Sequence, residues 1–129
     1  LLLERQEAVV LDMGAGIEHL TRGTARSVDV MLVVVEPNRS SINTARNVKR
    51  LAMDLGIPRV FFIGNKIGSP AEKEFIAGSL TEEELLGFVA FHREVWEKAR
   101  DNPADSAVWE SLAPEIKEIL EQLRMKVGD

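Results

Sequence analysis

Val30-Met31-Leu32-Val33-Val34-Val35-Glu36-Pro37 and Arg59-Val60-Phe61-Phe62-Ile63-Gly64-Asn65-Lys66 are the two stretches on which the fold turns. Each is an unbroken apolar run of strand length that stops at polar and turn-forming residues. A strand with one wet face alternates apolar and polar positions. A run that is apolar throughout is covered on both faces, as in a parallel sheet between helices. Two further runs fit the same reading. Ala8-Val9-Val10-Leu11 ends in Asp12, with Gly14 and Gly16 breaking it, and the weaker Leu86-Gly87-Phe88-Val89-Ala90-Phe91 follows an acidic helix start at Thr81-Glu82-Glu83-Glu84.

Helical patterns lie between and after these runs. Ser40 or Ser41 can cap a helix whose inward face is Ile42, Ala45, Val48, Ala52 and Leu55, with Gly56 and Pro58 ending it. A last helix carries Trp109, Leu112, Ile116, Leu120, Leu123 and Val127 at three- and four-residue spacing, with Pro114 expected in its first turn. Strands and helices joined by short loops predict right-handed crossovers. The expected fold is therefore α/β: a partial three-layer, Rossmann-like parallel sheet of about four strands with flanking helices, in one domain. Ligands of such sheets gather at the carboxyl ends of the strands, where Asp12, Glu36, Asn65 and Phe91 all fall.

Composition narrows the function. The chain has 129 residues, 45% hydrophobic and 29% charged, an ordinary balance for a folded domain. No apolar run approaches the ~20 residues of a membrane helix. There is no cysteine, hence no disulfide framework and no thiolate metal site within these residues. Leu1-Leu2-Leu3 meets charge at once in Glu4 and Arg5, unlike a secretory leader, so a cytoplasmic address is expected. A start at Leu1 is what a segment of a longer chain would show. The net charge of −5 sits in the second half: residues 1–65 carry 8 basic and 7 acidic side chains, residues 66–129 carry 8 and 14. No basic stripe with interleaved aromatics occurs, and nucleic acid is not an expected partner.

Two strand ends carry chemistry. In Asp12-Met13-Gly14-Ala15-Gly16 the carboxylate can hold a water of Mg²⁺ while a glycine N–H turns toward a terminal phosphate; an Asp-containing turn after a strand fits the same residues. At Asn65-Lys66 the Asn amide can read the donor and acceptor edge of a purine, and Gly64-Asn65 is also common turn chemistry. Neighbouring ends of one parallel sheet would bring the two signals together.

The stretch from Ala8 to Ala25, AVVLDMGAGIEHLTRGTA, resembles the second-motif region of MinD/ParA-like P-loop ATPases. Within that class its Gly-Ile-Glu-His-Leu-x-Arg-Gly-Thr run is similar to the CooC family, the nickel-insertion accessory ATPases of carbon monoxide dehydrogenase. Val33-Val34-Val35-Glu36-Pro37, the Ser41-Ile42-x-Thr44-Ala45 helix and Leu55-Gly56-Ile57 leading to Asn65-Lys66 continue the resemblance, which is close over residues 7–67 and loose afterwards. It implies that residues 1–129 are the C-terminal portion of such a nucleotide-binding domain. It also implies Asp12 as the Mg²⁺-linked carboxylate and Gly16 as the switch glycine facing the γ-phosphate. Asn65, with Lys66 beside it, would contact adenine, and Ala90-Phe91 would lie near the base, although many relatives have Pro where Ala90 stands. The implied cofactors are ATP or ADP with Mg²⁺, with nickel as cargo, and the implied partners are a second copy and carbon monoxide dehydrogenase.

The family's phosphate-binding loop is not among these residues: no Gly-x-x-x-x-Gly-Lys-[Ser/Thr] occurs in them. The switch carboxylate and Cys-x-Cys nickel pair that the family carries upstream are likewise not in the sequence. Catalysis in this class is positioning and electrostatics by that loop, its lysines and Mg²⁺. The chain alone is therefore expected not to hydrolyse ATP or to bind a cofactor, and to expose apolar strand edges that favour a dimer or a swapped oligomer. A non-catalytic interaction module and a fragment of a DNA-partitioning ATPase are the rival readings. Glu18 and Arg22 can pair along a helix, and His19 reads as a polar packing residue, with His92 too distant in sequence to assume as a second ligand. The last helix mixes acids and bases on its polar side, unlike the basic face of a membrane-surface helix, and is expected to cover the sheet.

Overall fold

The computed structural model describes residues 8–11, 20–102 and 106–128. Three parallel strands, β1 (Val30–Val35), β2 (Arg59–Ile67) and β3 (Leu85–Ala90), form one sheet in that order. A four-residue helix, α1 (Arg22–Ala25), precedes them; α2 (Arg39–Asp54) and α3 (Pro70–Ser79) make the two crossovers, and α4 (Arg93–Asp101) and α5 (Ser106–Val127) follow. The expected α/β sheet is what the chain forms, with one difference. Ala8–Leu11, expected as a further strand, has no regular structure, and Val10 is 91% exposed. A short apolar run becomes a strand only when a neighbour takes its backbone groups and covers its side chains, and here no described strand does so.

The register sorts the side chains. Met31, Val33 and Val35 lie beside Val60, Phe62 and Gly64, on the face covered by α2 and α3. Phe62, Ile76 and Val35 are its fully buried centre. Leu32 and Val34 lie beside Phe61 and Ile63 on the opposite face, where Ile119 of α5 packs on Phe61 and Leu86.

Local chemistry explains most boundaries. Helix α2 buries Ile42, Ala45 and Ala52 as its periodicity predicts, and Gly56 at φ 96° supplies the left-handed residue that ends it. Its cap, however, is Asn38 rather than Ser40 or Ser41: the Asn38 side chain accepts the Ser41 N–H at 2.7 Å, while Ser41 Oγ accepts the Glu36 N–H at 2.8 Å. Thr81–Glu84 does form the reciprocal bonds of a capping box, Thr81 N–H to Glu84 Oε2 and Glu84 N–H to Thr81 Oγ1. No helix follows, because the next six residues are the apolar strand β3. Pro114 lies inside α5 rather than in its first turn, leaving one helical carbonyl without its N–H partner.

The C-terminal half of helix α5 runs antiparallel to β3 and is fastened at both ends of that half. Glu115 accepts the Ala90 N–H at 2.6 Å. At the other end Lys126 Nζ donates to the carbonyls of Glu82, Glu83 and Leu85 at 2.7, 3.0 and 3.0 Å, and Arg59 donates to the Val127 carbonyl at 2.8 Å. About 16 Å of helix separates Glu115 from Lys126, and about 16 Å of strand separates Leu85 from Ala90, so the two elements match in length.

Candidate functional site at the strand ends

The carboxyl ends of the three strands deliver Glu36, Asn65 with Lys66, and Ala90 with Phe91 to one end of the sheet. Asp12 and Gly16, like Glu18 and His19, lie outside the described residues. Arg22 opens α1 and is exposed.

The end of β2 departs from regular strand geometry. Lys66 has φ 57°, and among the described residues it alone takes a positive φ without being glycine. The register with β3 breaks between Gly64 and Ile67, so Asn65 and Lys66 form a bulge before pairing resumes at Ile67 with Ala90. A lysine in the left-handed region is uncommon, and such residues concentrate where a strand end is re-aimed for binding. Its Nζ lies 2.9 Å from Glu36 Oε1, joining the ends of β2 and β1. Both side chains are about half exposed, so this pair contributes little stability and mainly orients the lysine. Beneath it Gly64 is buried, and a Cβ there would meet Phe88 Cδ1 at 2.7 Å and Ile76 Cδ1 at 3.2 Å. Gly64 is thus a packing requirement below the bulge, where its sequence context also suggested a turn.

At β3 the two last N–H groups diverge. Phe91 N–H bonds the Ile67 carbonyl at 2.9 Å and continues the ladder with β2. Ala90 N–H points to the outer edge and is taken by Glu115 Oε2, whose other oxygen lies 3.3 Å from His92 Nε2. Phe91 is 44% exposed, which leaves an aromatic ring at the same end of the sheet as the Asn65 amide. Sequence reasoning missed Glu115 as a site residue, since nothing in the spacing of α5 ties it to a strand end 25 positions earlier.

Two clefts lie elsewhere. One of about 560 Å³, at the start of β3, is lined by Arg46, Lys49, Arg50 and Glu84 among others, but Lys49 pairs with Glu84 and Arg46 donates to the Ser79 carbonyl. Arg46 and Lys49 thus hold α2 to the end of α3 and to the turn before β3. The other, about 740 Å³, follows β3 from Leu85 to Phe88 and includes Lys126. Neither is lined by Glu36, Asn65, Lys66, Ala90 or Phe91. The β2–β3 register shifts twice, between Phe62 and Ile63 and between Gly64 and Ile67; we place the site at the strand ends, where the second shift coincides with Lys66, the one described non-glycine residue at positive φ. Among the described residues no group of three or more His, Asp or Glu gathers to hold a metal ion, and no helix is long and apolar enough to cross a membrane.

No protein-family model matches the chain. Individual proteins do. An uncharacterized ATP-binding protein of Methanocaldococcus jannaschii is 47% identical over 98 residues, covering 74% of this chain and 38% of its own length. The carbon monoxide dehydrogenase accessory protein CooC of Rhodospirillum rubrum is 43% identical over 91 residues, covering 70% and 35%. A second uncharacterized ATP-binding protein of M. jannaschii is 33% identical over 100 residues, covering 74% and 39%. The chain thus spans a little over a third of the length of these relatives. With a parallel α/β sheet and identities of 43–47% over some 70% of its length, the chain belongs to the family of CooC-type ATP-binding proteins.

Proposed function

We propose that these residues form the C-terminal, base-binding part of the nucleotide-binding domain of a CooC-type ATPase that acts in nickel insertion into carbon monoxide dehydrogenase. The observation that carries the reading is the bulge at Asn65-Lys66, a re-aimed strand end in a chain whose relatives include proteins named for ATP binding. An Asn amide presents one donor and one acceptor side by side, the complement of a purine edge. The half-buried Asn65 and the exposed Phe91 ring therefore suit a base, one by hydrogen bonding and the other by an apolar face. Lys66, held by Glu36, lies beside it, and Ala90 completes the segment near the base.

Asp12 and Gly16 take the phosphate side in this reading, Asp12 through a water of Mg²⁺ and Gly16 through its N–H. When bound, the ion would neutralise charge developing on the phosphates. Nickel is the cargo of the intact protein, and carbon monoxide dehydrogenase and a second copy are its partners; these assignments rest on the resemblance to CooC. The chain alone does not turn over ATP, because the 129 residues hold no phosphate-binding loop of the Gly-x-x-x-x-Gly-Lys-[Ser/Thr] type.

The melting temperature with and without excess Mg²⁺-ATP or Mg²⁺-ADP tests this. A ligand at 100 times its Kd stabilises by roughly 2.7 kcal/mol, a rise of several degrees for a chain of this size. The proposal expects no such rise for these residues alone, because contact with the base without the phosphate-binding loop is too weak to stabilise the fold and shows only as shifted amide signals at high ligand concentration. A rise of that size would mean that they bind nucleotide tightly without the loop. One observation favours a second reading, an interaction module that joins another chain without turnover: Leu32 and Val34 of the outer strand β1 are 42% and 57% exposed.

A further inference from the structure

We infer that Glu115 is the positioning residue of the base-contacting strand end, fixing the segment Ala90–His92 from the outer edge of the sheet; this deepens the reading above and rests on it. One carboxylate acts at two points. Oε2 accepts the Ala90 N–H at 2.6 Å, and Oε1 lies 3.3 Å from His92 Nε2. Phe91, between them, is fixed on its other side by its N–H bond to the Ile67 carbonyl at 2.9 Å. The three residues are therefore held alternately from α5 and from β2, and the exposed Phe91 ring is presented from a backbone fixed on both edges.

The geometry goes beyond ordinary helix packing. Ala90 N–H is an edge donor that would otherwise be left to water at the end of an outer strand. A charged acceptor makes a shorter and stronger bond than a neutral one. Glu115 lies midway along α5, about one strand length from Lys126, so the strand end is registered to a helix that is itself fastened to the turn before β3. Loss of the carboxylate would free residues 90–92 while the core contacts of Ile119 and Leu86 stayed in place. The same fastening couples the site to α5: whatever moves the helix at Glu115 moves the Phe91 ring.

The test is amide hydrogen exchange and ¹H–¹⁵N shift mapping on the chain, as wild type, Glu115→Ala and Glu115→Gln, first without ligand and then with millimolar ADP. In Glu115→Ala the Ala90 amide should exchange about tenfold faster or more and lose a downfield shift, while Phe62 and Ile63 in the central strand keep their protection. Glu115→Gln, which retains an acceptor oxygen, should restore most of the Ala90 protection, an outcome that general loosening of α5 would not give. Unchanged exchange at Ala90 in Glu115→Ala overturns the inference. So does equal loss in both variants. ADP should shift the amides of Asn65, Ala90 and Phe91 in the wild type and in Glu115→Gln, and shift Ala90 and Phe91 less in Glu115→Ala. If ADP moves none of them in any variant, the base-binding reading fails, and with it Glu115's role toward a base, while the exchange data still decide whether Glu115 holds the strand end.

Discussion

β3 and β1 are both outer strands of the sheet, yet their surroundings differ at every level. Along β3 the Ala90 N–H is taken by Glu115, Lys126 gathers three carbonyls at the strand's start, and Ile119 covers Leu86 and the Cα of Gly87. Along β1 no described residue pairs with the outer ladder, and Leu32 and Val34 stand 42% and 57% exposed on the face that α5 covers only farther over. Val30 is the β1 residue that packs against the cluster of Phe61, Leu86 and Ile119. The lesson is that burial on this face follows α5: among the described residues the face is closed where that helix lies and bare where it does not. An open ladder beside exposed β-branched and aliphatic side chains suits pairing with another strand.

The largest effect should come from the closed side. Ile119→Ala removes the side chain that joins α5 to Phe61 and Leu86. At 6% exposure it should cost about 2–5 kcal/mol, read from urea denaturation of the chain. A cost below about 1 kcal/mol would mean that α5 does not cover β3 in solution, and the contrast between the two strands would be lost.

Lys126→Met keeps the stem and deletes the ammonium that meets the carbonyls of Glu82, Glu83 and Leu85. A loss of about 1–2 kcal/mol is expected by the same measurement, since charge-assisted bonds contribute more than neutral ones. No change would assign the fastening of this end to Arg59 and the Val127 carbonyl instead.

The start of β3 also carries an acid-sensitive contact. Partial burial pushes the Glu84 carboxyl up, but hydrogen bonds from Lys49 and from the backbone and side chain of Thr81, with the Lys49 charge, outweigh it and hold the group below its ordinary value of 4.5. A carboxyl lowered on folding contributes stability that is present above its unfolded pKa and lost as pH falls through the folded one. The chain should therefore lose stability below about pH 4.5, and Glu84→Gln should be less stable at pH 7 and show a shallower acid loss. Equal acid slopes in the two proteins would place the sensitivity elsewhere.

The contrast between the strands also separates what the sequence discloses from what it hides. Unbroken runs such as Val30–Val35 and Arg59–Ile63 reveal buried parallel strands because burial on both faces leaves no polar positions. The inward face of α2 is equally legible at Ile42, Ala45 and Ala52. Helix α3 went unremarked although Ser69-Pro70 announces it: the Ser69 side chain accepts the Glu72 N–H, and Pro70 occupies the first turn. On α5 the apolar spacing chose a stripe that is half wrong. Trp109, Ile116 and Leu120 are 57%, 51% and 42% exposed, while Ile119 is the buried residue and Glu115 and Lys126 face the strand. Periodicity locates a stripe but cannot say which flank of it meets the sheet when polar residues are also needed there. At the strand ends Asn65-Lys66 was legible as an interrupted run, whereas the Glu36–Lys66 pair and the Glu115 bond are contacts between distant positions that no local pattern encodes.

The smallest expected effect is the one that tests the open side. Leu32→Ala removes as many side-chain atoms as Ile119→Ala does, but from a position 42% exposed. Much of that apolar surface is already in water, and no helix among the described residues covers it to leave a cavity, so the loss should be well below that of Ile119→Ala, about 1 kcal/mol or less. Urea denaturation at several protein concentrations makes the comparison sharper than a single value. If β1 is bare in the isolated chain, the small cost is independent of concentration. If a second copy covers Leu32 and Val34, the wild type gains stability with concentration and Leu32→Ala loses that gain, because a contact between chains stabilises by mass action. A large cost at every concentration would mean that part of the same chain lies over β1, and the two outer strands would then be alike after all.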